Sequence, residues 1–191
     1  MNLTRLFEMQ KVLDERIVKE KGLEGQDLLP QKILALQVEL GELANEWRGF
    51  KFWSEDRKPR TQAYSHHEEK QHGHNGFSSI AKYERNPLLE EYVDCLHFIL
   101  SIGLELAAQE TEKWFVEANV QVYKNRDTVE QFIYTNYHLN RMYLEDEYDD
   151  YDELVYTFLG LGEMLGFTWE QIEQAYYSKN KINHERQATG Y

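Results

Sequence analysis

Two pairs of carboxylates, each set in an otherwise apolar helical stretch, constrain this chain more than any other feature. Glu39 and Glu42 lie in ALQVELGELANEWRGFKFW, and Glu91 and Asp94 lie in PLLEEYVDCLHFILSIG. Each pair is spaced i, i+3, so both of its carboxylates leave the same side of a helix. A lone pair of glutamates at this spacing is ordinarily a solvated helix face. The second stretch, however, is apolar on most faces (Leu88, Leu89, Tyr92, Val93, Leu96, Phe98, Ile99, Leu100, Ile102), which predicts a buried central helix. Carboxylates beside a core are costly unless a cation neutralises them. Oxygen ligands at this density suit Mg²⁺ or Mn²⁺. The residues therefore point to a metal-dependent enzyme acting on a phosphate-bearing substrate.

The rest of the chain reads as helical. Leu3, Leu6, Phe7, Val12, Leu13 and Ile17 predict a first amphipathic helix, broken at Gly22–Gly25. Pro30 fits the first turn of the next helix. There Leu36, Leu40, Leu43 and Trp47 form one apolar stripe, with Glu39, Glu42 and Glu46 at its border. Asn86-Pro87 gives a cap and a first-turn proline to the helix carrying Glu91 and Asp94. Further helices are expected at about 112–125, 128–144 and 151–165, with a solvated acidic junction at Glu145–Glu153. Thr168 and Gln171 form a capping box that opens the last helix after Gly166. The polar stretch from about 55 to 85 reads as a long loop inserted between the two acidic helices. No alternating strand pattern stands out. The expectation is one all-α domain over 1–191, a bundle of about six to seven helices.

Composition narrows the function. With 191 residues and 41% hydrophobic content the chain has enough apolar material for one core. A net charge of -13 argues against nucleic acid as a partner. An anionic substrate would arrive with metal ions. The single cysteine, Cys95, excludes an internal disulfide and fits a reducing cytoplasm. The opening MNLTRLFEMQKVLDERI lacks the apolar centre of a signal peptide. No apolar run reaches the roughly 18 residues of a membrane span.

Three further segments carry chemistry. Arg48-Gly-Phe-Lys51-Phe-Trp53 mixes cations and aromatics: either dipole-compensating charges at a helix end, or a phosphate-contacting lysine beside a base-contacting ring. Lys179, Asn183 and Arg186 share one helix face near the C-terminus and could clamp a polyphosphate; the alternative is a solvated polar tail. As a clamp, that tail would be loosely packed until nucleotide arrives. His66, His67, His72 and His74 cluster in the 55–85 stretch without partner cysteines, which favours a solvated insertion over a zinc site. His97, one turn after Asp94, is a core, supporting or ligand-contacting histidine.

ELGELANEWRGFKFWS, LLEEYVDCLHFILSIG and YYSKNKINHERQATGY, in that order, resemble the dimeric all-α dUTPases, members of the all-α nucleoside triphosphate pyrophosphohydrolases. The resemblance runs from FEMQKVLDERI to Tyr191. It implies hydrolysis of dUTP, and of dUDP, to dUMP with release of pyrophosphate or phosphate. It implies a homodimer and two or three Mg²⁺ ions (or Mn²⁺) held by Glu39, Glu42, Glu91 and Asp94. Glu42 is the first choice as general base. Lys179 and Arg186 would contact phosphates, and Asn183 the deoxyribose or phosphate. Gln10, Trp53, His97 and Phe98 would surround the uracil and sugar, with Lys51 near the phosphates. The rival readings are a related pyrophosphohydrolase for dCTP or a modified nucleotide, and a non-enzymatic helical interaction module.

Overall fold

The amphipathic pattern at the start of the chain becomes α1 (Leu3–Lys21), which buries Leu3, Leu6, Phe7, Gln10 and Leu13 on one side. The structure is a computed structural model and describes residues 3–69, 79–109, 121–145 and 150–190, the side chains of 65–69, 79–83, 108 and 109 excepted. Helix α2 (Leu29–Trp47) has Pro30 in its first turn and buries Leu36, Leu40 and Leu43, as its leucine stripe predicts. It ends where Arg48 turns into the left-handed region (φ 64°) and donates its backbone N–H to the Ala44 carbonyl.

Helix α3 (Pro87–Gln109) starts with the Asn86 side chain accepting from the Leu89 N–H at 3.1 Å. Its buried residues include Leu88, Tyr92, Val93, Leu96, Ile99, Leu100 and Ile102. It is the central element: α1, α2, α5 and α6 all pack against it. Helix α4 (Thr128–Leu144) is capped by Asp127, whose side chain accepts from the Glu130 N–H. It pairs with α5 (Asp150–Met164). Helix α6 (Trp169–Ala188) opens on the reciprocal Thr168–Gln171 capping box that the sequence predicts. These six helices share one hydrophobic core. Tyr92 stacks on Phe158 at 4.4 Å and donates its hydroxyl to the Phe158 carbonyl, and Tyr151 donates to the Ile99 carbonyl, so α5 is keyed to α3. The architecture is the expected all-α bundle.

Three expectations need correction. The 55–85 stretch is not a loop throughout. Strands β1 (Ala63–Glu69) and β2 (Ser79–Arg85) pair antiparallel, with Ala63 opposite Arg85 and Glu69 opposite Ser79. The segment before them returns along the bundle: Arg60 donates its backbone N–H to the Glu46 carbonyl, and its own carbonyl accepts from Leu88. The hairpin thus rises from the gap between the end of α2 and the start of α3. His66 and His67 fall on β1, while His72 and His74 lie outside the described residues.

The helix expected at 112–125 is also absent over its described part. Residues 121–125 are non-helical, and 112–120 lie outside the described residues. Tyr123 donates its N–H to the Tyr156 carbonyl, and the buried Gln131 amide donates to the carbonyls of Tyr123 and Thr157. The backbone there is satisfied by α4 and α5 and has no need of a helical ladder. It lies so close to α5 that a Cβ on Gly160 would overlap the Tyr123 carbonyl oxygen. The acidic junction is likewise not all solvated. Asp150 is buried and pairs with His138 (3.1 Å) and Arg141 (3.2 Å) on α4; residues 146–149 lie outside the described residues.

Candidate active site

Packing of α2 on α3 turns the two acidic motifs toward each other. Glu39, Glu91 and Asp94 each present a carboxylate oxygen within 4.8 Å of the others. All three are partly buried, and their fields overlap. The Glu39 carboxyl is raised to about 7 by burial first, then by Asp94 and Glu42. Glu91 is raised to about 7 by burial, then by Asp94, Glu42 and Glu39. Burial also raises Asp94, opposed by its bond to Lys179. Glu42 stands apart from the triple. It is exposed, yet near enough to act on both Glu39 and Glu91. Glu46, one turn further, accepts from the Arg60 guanidinium at 3.0 Å and so holds the segment leading to the hairpin.

Such a cluster is unfavourable on its own, because like charges in a poorly solvated site repel. Cations of α6 oppose this: the Lys179 ammonium lies 2.5 Å from Asp94, and Arg186 adds a smaller favourable field at the same carboxylate. The donor set is all carboxylate oxygen, which fits a hard divalent cation and not a soft one.

Lys179, Asn183 and Arg186 do share a face, as the sequence predicts. They do not sit on a loose tail, however; α6 is a regular helix through Ala188 and packs against α1 and α3. Lys179 and Arg186 also line a cleft of about 710 Å³ between α6 and the start of α3, which includes Arg85, Glu90 and Val93. The four carboxylates are not part of that lining.

Gln10 and His97 come together from α1 and α3. The His97 ring is buried, stacks on Tyr176 of α6 at 4.2 Å, and bonds through Nδ1 to the Gln10 side-chain oxygen at 2.7 Å. Burial, and then Lys179, push His97 down to about 3, so the ring is neutral. Phe98 packs against the core, half-buried. Tyr176, Asp14 and Ser101 belong to this cluster and escape a reading by motif. One signal was available: Gln10 falls on the buried stripe of α1 between Phe7 and Leu13, where an apolar residue is expected.

The structure does not bring Lys51 and Trp53 into that cluster. They sit on the turn after α2, where the 65% exposed Trp53 packs edge-on against Phe50 and Phe52, and Lys51 Nζ lies over the Phe50 ring. Among the described residues no hydrogen bond or ion pair links either to the carboxylates. The turn is fixed by Arg48, whose guanidinium donates to the Asp56 carbonyl at 2.7 and 3.1 Å.

No helix among the described residues is long and apolar enough to cross a membrane. No curated protein gives a significant match to the chain. A model of the dUTPase family, by contrast, matches residues 2–69 and 76–191, a span that holds both acidic motifs and the whole of α6. With its all-α bundle, the chain belongs to the dUTPase family and is a dUTP diphosphatase.

Proposed function

We propose that the enzyme hydrolyses dUTP to dUMP and pyrophosphate, and dUDP to dUMP and phosphate, with Mg²⁺ or Mn²⁺ held by Glu39, Glu42, Glu91 and Asp94 in a site for two or three ions. The observation that carries this reading is the convergence of Glu39, Glu91 and Asp94 from two helices within 4.8 Å. Bound there, divalent ions supply charge neutralisation at the phosphates and water activation. Lys179, which balances Asp94, would contact the phosphates. Arg186, two turns along the same face, joins it on the departing pyrophosphate. Asn183 between them reaches the sugar or phosphate. Glu42, exposed and outside the tight triple, accepts the proton of the attacking water. Gln10, His97 and Phe98 enclose the uracil and sugar. Trp53 and Lys51 serve base and phosphate from the turn at the end of α2.

Pyrophosphate release measured across the common dNTPs and NTPs with Mg²⁺ tests the substrate. The expected result is turnover of dUTP far above dCTP and TTP. Equal rates for dCTP and dUTP would sink the assignment of base.

The same reading places the enzyme in the cytoplasm, in keeping with a lone buried Cys95, as one domain over 1–191 that works as a homodimer. Exposed large side chains support the pairing of copies. Leu34 and Val38 are exposed one turn apart on α2, as are Ile133 and Tyr137 on α4, which packs beside it. Sedimentation equilibrium at micromolar concentration is expected to return twice the chain mass. The mass of one chain would refute the dimer.

A further inference from the structure

Behind His97 runs a chain of hydrogen bonds whose direction is fixed at its far end. Lys32 Nζ on α2 lies 2.6 Å from Glu105 and 3.7 Å from Asp14. Ser101 donates its hydroxyl to Asp14 Oδ2 at 2.5 Å. The other oxygen, Asp14 Oδ1, is 2.7 Å from the Gln10 side-chain nitrogen. Burial raises the Asp14 carboxyl, but the Ser101 hydroxyl and the Lys32 ammonium both favour its ionised form; an ionised carboxylate only accepts, so Gln10 turns its NH₂ toward Asp14. Its carbonyl oxygen then faces Tyr176 and His97, where it receives the Tyr176 hydroxyl at 2.8 Å and His97 Nδ1 at 2.7 Å. A carbonyl oxygen cannot donate, so Nδ1 carries the proton of the neutral ring. His97 Nε2 is left as a bare acceptor, buried, with no hydrogen-bond partner among the described residues. A buried acceptor without a donor is expensive unless a ligand supplies one.

We propose that Asp14, backed by Ser101 and Lys32, is a positioning residue for base selection: by fixing the Gln10 amide it holds His97 in the Nδ1–H form, so that Nε2 accepts from a ligand N–H. The consequence for substrate rests on the assignment of Gln10 and His97 to the base pocket. Uracil offers an imide N–H at N3, whereas cytosine has a lone pair there. An acceptor at Nε2 therefore favours the first and repels the second, and Asp14 sets that preference without touching the base.

The isosteric change Asp14→Asn makes the sharpest test. Ser101 and Lys32 hold the new side-chain oxygen on their side, so its NH₂ faces Gln10. Gln10 must then flip, presenting NH₂ to His97, and the imidazole proton moves to Nε2. Long-range ¹H–¹⁵N spectra of histidine-labelled, ligand-free protein read the tautomer directly, with His97→Gln to assign the signals. The wild type is expected in the Nδ1–H form and Asp14→Asn in the Nε2–H form. The ratio of kcat/KM for dUTP over dCTP should fall by about tenfold or more in Asp14→Asn, mainly through KM for dUTP. Wild-type His97 protonated on Nε2 would overturn the proposal without any variant. So would an Asp14→Asn enzyme with both tautomer and dUTP/dCTP ratio unchanged, even if it melts at a lower temperature. The expected tautomers in an enzyme inactive on dUTP would support the relay and overturn the substrate assignment instead.

Discussion

Chelation of divalent ions with EDTA is expected to abolish turnover and, separately, to make stability depend on pH. Glu39 and Glu91 have a usual value of 4.5 and stand at about 7 in the fold. Between those limits the folded state binds more protons than the unfolded chain. Stability of the metal-free protein attributable to these groups therefore falls as pH rises from about 4.5 to about 7, and the loss is complete above it. A divalent cation reverses the sign, because it favours the ionised carboxylates. The rise in melting temperature on adding Mg²⁺ should be large at pH 8 and close to nil at pH 5. Mg²⁺ binding near pH 6 should release protons, visible by calorimetry in buffers of different ionisation enthalpy. Full activity after exhaustive chelation, or an Mg²⁺ effect equal at both pH values, would rule out the carboxylate cluster as the metal site.

Neutralising single carboxylates should be nearly as damaging. Asp94→Asn and Glu42→Gln are each expected to lower kcat by more than ~100-fold while far-ultraviolet circular dichroism stays unchanged. The reasons differ. Asp94 belongs to the close triple and is the partner of Lys179, so its loss removes a ligand and leaves an ammonium half-buried without its counterion. Glu42 is exposed and outside the triple, so its loss removes the base and one outlying ligand while the close triple persists. Mg²⁺ affinity separates them: Asp94→Asn should bind the ion weakly, whereas Glu42→Gln, which keeps the close triple, should lose less. Turnover within a few-fold of wild type in both variants would exclude these roles.

The hairpin shows why one part of the fold was not legible. Its strands, AYSHHEE and SIAKYER, are mostly polar and lack apolar alternation. Hydrophobic periodicity reports a strand only when one face is buried. Here the pairing is made by backbone groups, which leave no trace in residue type. The 121–125 segment failed for a related reason, since distant carbonyls on α5 and a buried glutamine settle its backbone.

The six helices were legible because their signals are local. Apolar stripes at helical spacing, Pro30 and Pro87 in first turns, and the Thr168–Gln171 box each act within a few residues. The two acidic pairs were legible on the same ground, as i, i+3 neighbours on one helix. By itself, then, the sequence determined the helices, the faces that carry charge, and the all-carboxylate character of the candidate site. Only the tertiary structure decided which charges meet. Asp94 finds Lys179 across 85 residues, Gln10 finds His97 across 87 and Tyr176 across 166. Those pairings depend on how α1, α2 and α6 rotate against α3. That rotation is fixed by the packing of the whole core, and no local spacing in the chain encodes it.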